Sequence, residues 1–114
     1  MSIVIWHNPR CSKSRAGVKY LEEKGIDFEI VKYLDNPPST QEIREVLGKL
    51  GITARELMRT KEAIYKELNL KEITDEVRLI EAMAAHPKLI ERPVVIHGEK
   101  AVVARPADVI ATIL

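Results

Sequence analysis

Short apolar runs rich in β-branched residues alternate along this chain with longer stretches whose apolar positions recur every three or four residues. The first run, residues 2–6, reads Ser-Ile-Val-Ile-Trp and stops at His7-Asn8-Pro9, the mark of a short buried strand. Helical spacing follows from about residue 12 to 24, with Val18, Tyr20 and Leu21 for packing and Gly25 as the stop. Residues 28–31, Phe-Glu-Ile-Val, form the next strand. Strand, helix and strand joined this closely make a βαβ unit, with parallel strands and a right-handed crossover.

Asp35-Asn36-Pro37-Pro38 breaks the pattern, and a block of helices follows. Ser39-Thr40-Gln41-Glu42 is a Ser-x-x-Glu capping box opening a helix through Val46, Leu47 and Leu50 to Gly51. Thr53-Ala54-Arg55-Glu56 repeats the device before Leu57 and Met58. A further short helix centres on Ile64, Tyr65 and Leu68, and Thr74-Asp75-Glu76-Val77 begins another that carries Ile80 and Met83 up to His86-Pro87. The strand pattern returns at Pro93-Val94-Val95-Ile96-His97. A turn over 97–100 then leads into Ala101-Val102-Val103-Ala104 as an antiparallel partner. Pro106 opens a last helix with Val109, Ile110, Ile113 and Leu114 facing inward. The order β-α-β, helices, β-β-α predicts an α/β fold in one domain over residues 1–114. Its four-stranded mixed sheet is flanked by helices and carries a helical insert at about 39–85.

Composition narrows the classes. Eighteen basic against 17 acidic residues leave a net charge of +1, and aromatics make up 4% of the chain. Neither the basic face nor the stacking platforms of a nucleic-acid binder are indicated. No apolar run is long enough to span a membrane, and the first residues lack the features of a signal peptide. The single cysteine fits a reducing, cytoplasmic setting and cannot close an internal disulfide, so redox chemistry here needs a thiol from outside the chain. No spacing of Cys, His, Asp or Glu suggests a metal site, and no phosphate loop or dinucleotide fingerprint appears. No bound cofactor is expected.

That cysteine stands in His7-Asn8-Pro9-Arg10-Cys11-Ser12-Lys13-Ser14-Arg15, where the first strand turns into the first helix. Open backbone N–H groups and the positive end of the helix dipole favour an anion there, and a thiolate is such an anion. Arg10, Lys13 and Arg15 should lower its pKa further, and the hydroxyls of Ser12 and Ser14 are candidate donors to it. The polar flanks argue against an inert, buried cysteine. His7 reads either as a proton carrier beside Cys11 or as a turn residue satisfying backbone groups.

Strand direction supplies a second grouping. Arg92 precedes the third strand and Arg105 follows the fourth, so an antiparallel pair puts both at one end of the sheet. Ligands of open α/β sheets bind beyond the carboxyl ends of the parallel strands, where Cys11 also lies. Two guanidiniums near a thiolate would form a tetrahedral oxyanion site; the plain alternative is two solvated surface charges. Arg59 has less support, because a cation is electrostatically expected at the end of a capped helix. His86 and His97 read as structural, and Asp108 as a favourable charge in the first turn of the last helix.

Together with Tyr33-Leu34-Asp35-Asn36-Pro37-Pro38, Glu56-Leu57-Met58-Arg59, residues 86–93 and Arg105-Pro106, the cysteine segment resembles the glutaredoxin-linked arsenate reductases of the thioredoxin-like superfamily. The segments occur in family order over nearly the whole chain. Arg10 and Lys13 depart from the reductases of resistance operons and bring the wording closer to chromosomal relatives. The resemblance implies a Cys11 thiolate that attacks arsenate, with Arg59, Arg92 and Arg105 holding the oxyanion and His7 and Ser14 tuning the cysteine. It implies a cis bond before Pro93, glutathione as co-substrate and glutaredoxin as the partner supplying the reducing thiol. One alternative is a glutathione-dependent thiol/disulfide reductase with another substrate. The other is an Spx-like regulator that binds RNA polymerase, although Cys11-Ser12-Lys13-Ser14 lacks the second cysteine of that group's redox switch.

Overall fold

The computed structural model describes residues 2–114. Its contacts divide the chain into two compact units: residues up to Asn36 together with Arg92–Leu114, and Pro37–Glu91.

The first unit carries the sheet. β1 (Ile3–Trp6) leads into α1 (Ser12–Glu23) and β2 (Glu29–Val31), and the chain returns to this unit as β3 (Val94–His97) and β4 (Lys100–Val103). The order across the sheet is β2-β1-β3-β4. β1 and β2 are parallel, with Trp6 opposite Val31; β3 is antiparallel to both of its neighbours. This is the mixed four-stranded sheet that the pattern predicts. Ile3 and Ile5, two residues apart on one face, pack with Val95, Ala104 and Leu21 of α1, and with Ile110 and Ile113. Gly17 lets α1 approach closely, since a Cβ there would lie 3.1 Å from Pro93 and 3.3 Å from Ile5.

Three readings of this unit need correction. β2 begins at Glu29; Phe28 lies before the strand and packs partly buried against the core. The last segment, Ala107–Ile113, is a 3-10 helix with Pro106 as its cap. Its buried residues Ile110 and Ile113 are three apart, which aligns them on one face at three residues per turn. Leu114 accordingly points outward and is 47% exposed.

The second unit is helical: α2 (Thr40–Leu50), α3 (Ala54–Leu57), α4 (Ala63–Glu67) and α5 (Glu76–Ala85). Both capping boxes form, Ser39 with Glu42 and Thr53 with Glu56, and α2 ends in left-handed Gly51. Asp75 caps α5 by accepting from the Val77 N–H at 2.9 Å. Ile43, Val46 and Leu47 of α2 are buried, as are Leu79, Ile80 and Met83 of α5, and these two helices pack together. Short 3-10 turns at Leu70–Glu72 and Pro87–Leu89 complete the unit. Arg55 stitches the first of them, donating to the carbonyls of Leu70 and Ile73 and to the Tyr65 hydroxyl.

Candidate active site

β1 delivers the cysteine turn. The His7 N–H continues the ladder to the Val31 carbonyl at 2.9 Å, after which the chain turns sharply, Cys11 donating its N–H to the Asn8 carbonyl at 3.0 Å. The Asn8 side chain accepts from the Arg10 N–H at 3.1 Å, and the Arg15 guanidinium donates to the Pro9 carbonyl at 3.0 Å. Cys11 occupies the capping position of α1, one residue before its first turn, in extended conformation (φ −95°, ψ 125°). A side chain at this position faces the N–H groups that a helix leaves open.

Burial pushes the Cys11 pKa up, but hydrogen bonds outweigh it and the net shift is down. The donors are the backbone N–H of Ser14, the side chain of Arg92 and the backbone N–H of Lys13, with the Arg92 charge adding to them. This corrects the expectation from sequence in two ways. The lowering comes first from the backbone N–H of Ser14 and then from Arg92, remote in the chain, and not from the side chains of Arg10, Lys13 or Arg15. Nor does Ser14 serve Cys11 through its hydroxyl.

That hydroxyl is fully buried and turned the other way. Ser14 Oγ lies 2.6 Å from His7 Nδ1 and accepts the Asn8 N–H at 2.9 Å. His7 is itself buried, and burial first, then the charges of Lys32 and Arg15, hold its pKa below the ordinary 6.5. A neutral imidazole therefore braces the turn through Ser14. Ser12 is exposed on the outer face of α1.

The strand register brings Arg92 and Arg105 to the cysteine end of the sheet, since Trp6 pairs with Val94 and Val94 with Val103. The Ala104 N–H closes the hairpin on the Pro93 carbonyl at 2.9 Å. The Arg92–Pro93 bond is cis, as the resemblance implies; Arg105–Pro106 is cis as well, which no feature of the sequence signals. Arg105 is exposed. Arg59 belongs to the helical unit. Its N–H donates to the Leu89 carbonyl at 2.7 Å beside the Met58–Ile90 bridge, and its guanidinium pairs with Glu62 and, at 3.8 Å, with Glu91. His97 is structural, its Nδ1 lying 2.5 Å from the Ile113 carbonyl.

With the cysteine turn, Arg92 and Arg105 placed, comparison with known proteins identifies the group to which they belong. Residues 6–113 match the model of the ArsC family. The chain belongs to that family. Two arsenate reductases agree over nearly their full length. It is 50% identical over 114 residues to an arsenate reductase of Neisseria meningitidis, covering 98% of this chain and 97% of the other. It is 45% identical to an arsenate reductase of Haemophilus influenzae, covering all of both chains. Among solved structures, an arsenate reductase from Vibrio cholerae superposes with a TM-score of 0.96 at 46% identity, over 100% of this chain and 98% of that one. The fold is thus the thioredoxin-like α/β fold of the ArsC proteins.

The family match spans every candidate residue from His7 to Arg105. Among the described residues, no group of three His, Cys, Asp or Glu side chains is placed to hold a metal ion, and no helix is long and apolar enough to cross a membrane.

Proposed function

We propose that this ArsC-family chain reduces arsenate to arsenite, with Cys11 as nucleophile and glutathione and glutaredoxin as reductants. The observation that carries the reading is the pairing of Cys11 with Arg92 at the start of α1, where a guanidinium and helix N–H groups favour the thiolate. The same donors suit an oxyanion arriving at that thiolate. Arsenate reductases among the full-length relatives support the choice of substrate.

In this reading the Cys11 thiolate displaces an arsenate oxygen as water and forms a sulfur–arsenic(V) bond. Arg92 and Arg105 hold the remaining oxygens. His7 and Ser14 fix the turn that aims the sulfur. Glutathione then bonds to arsenic, releasing a second water. A glutaredoxin thiol attacks the glutathione sulfur, so that a mixed disulfide leaves and arsenic keeps the electron pair. Hydrolysis frees arsenite and regenerates Cys11. Two thiols lose two electrons and arsenic gains them. The single cysteine supports the use of external thiols, and a cytoplasmic activity fits them because thiols are kept reduced there.

The test is arsenite production from arsenate with glutathione and glutaredoxin, beside Cys11→Ser. Turnover should vanish in that variant and fall about a hundredfold or more in Arg92→Ala. Absence of turnover in the unmodified protein, while Cys11 still ionises at low pH, would overturn arsenate as the substrate.

A further inference from the structure

A cleft of about 320 Å³ opens beside the cysteine turn, between residues 7–10 on one side and Lys32, Leu34 and Asp35 on the other. Its volume falls at the small end of ligand sites, about 300–1,000 Å³. The two walls leave the carboxyl ends of the parallel strands β1 and β2, where open α/β sheets take their ligands. Both walls are tightly turned. The N–H groups of Asp35 and Asn36 close on the Lys32 carbonyl at 3.0 and 2.9 Å, and Asn8 fixes the Arg10 backbone. The lining offers two cations, Arg10 and Lys32, one carboxylate, Asp35, and the apolar surfaces of Pro9 and Leu34.

Resting on the reading of Cys11 as a thiolate that needs an outside thiol, we propose that this cleft binds the reducing thiol as a small peptide carrying two carboxylates and one ammonium. Arg10 and Lys32 take the carboxylates, Asp35 takes the ammonium, and Pro9 and Leu34 cover the methylene chain. The charges of ligand and cleft are then opposite in sign and equal in number. Arg10 directly precedes Cys11, one Cα step of about 3.8 Å, and a tripeptide reaches about 10 Å. A thiol anchored at Arg10 and Lys32 thus has Cys11 within its span. The step it serves is exchange at arsenic: the peptide sulfur bonds to arsenic(V) on Cys11, its proton leaves with an arsenic hydroxyl as water, and arsenic remains pentavalent.

The test is an amide NMR titration of the Cys11→Ser protein with S-methylglutathione, which cannot react. Shifts should concentrate at residues 7–10 and 32–35. Lys32→Glu should weaken binding about tenfold or more while Lys32→Arg restores it, and the amide spectra report whether each variant is folded. No binding, shifts centred instead on Arg92–Val94 and β4, or equal affinity in Lys32→Glu would overturn the proposal. Failure of the reductase reading shows separately. Binding in the cleft without arsenite production upholds the cleft and removes arsenate. Arsenite production with the same glutathione KM in Lys32→Glu removes the cleft and leaves the reductase.

Discussion

At Cys11 burial and hydrogen bonding oppose each other, and the hydrogen bonds from Ser14, Arg92 and Lys13 prevail. The rate of alkylation by iodoacetamide against pH should therefore have its midpoint below the ordinary thiol value of 9.0. Arg92→Ala should move that midpoint up; Lys13→Ala should move it less, because Lys13 contributes its backbone N–H and not its ammonium. His7 gives a second pH effect. Its folded pKa lies below 6.5, so the unfolded chain binds the proton more readily and stability rises with pH across that window. The contribution is complete above 6.5 and is lost as pH falls through the folded value. The urea midpoint should drop on acidification below pH 6.5, and less steeply in His7→Asn.

The two helical glycines separate packing from propensity. At Gly48, on the exposed face of α2, a Cβ would meet nothing within 4 Å, so Gly48→Ala should stabilise by about 0.5–1 kcal/mol. Gly17 in α1 would place that atom against Pro93 and Ile5, and Gly17→Ala should destabilise by about 1–2 kcal/mol despite the same propensity gain. Chemical denaturation of both variants checks the contrast. The cap at Ser39 is independent of either, and Ser39→Ala should cost about 1 kcal/mol. Local signals wrote most of these elements. The capping boxes, the left-handed Gly51 and the paired apolar strands occur where the pattern predicts them. The last helix is harder to read, since Ile110 and Ile113 suit an α-helix and a 3-10 helix alike over so few residues.

For the molecule as a whole, one cysteine means that oxidation cannot close within the chain. Oxidised glutathione should add one glutathionyl group to the native protein and none to Cys11→Ser, as read by intact mass. The arginines mark where sequence reading stops. Arg55 and Arg59 stand four residues apart, on either side of the buried Leu57 and Met58, yet Arg55 is spent on the carbonyls of Leu70 and Ile73 while Arg59 lies between Glu62 and Glu91. Nothing in spacing distinguishes them, because the partners of each are set by how distant turns pack.

The order of strands and helices, the mixed direction of the sheet, and a cysteine at the start of a helix are all legible in the chain itself. They follow from period, caps and turn residues, all local. The grouping of Arg92 and Arg105 at the cysteine end is legible too, because strand direction alone fixes it. Folding in three dimensions chose which cation meets the sulfur and which way Ser14 turns. Arg92 reaches Cys11 through the β1–β3 register, while the side-chain charges of Arg10 and Lys13, the neighbours of Cys11 in sequence, take no part in lowering its pKa. The Ser14 hydroxyl, buried within reach of His7 and the Asn8 N–H, bonds to them. A buried polar group must find partners where packing leaves it, and that choice is not written in the order of residues.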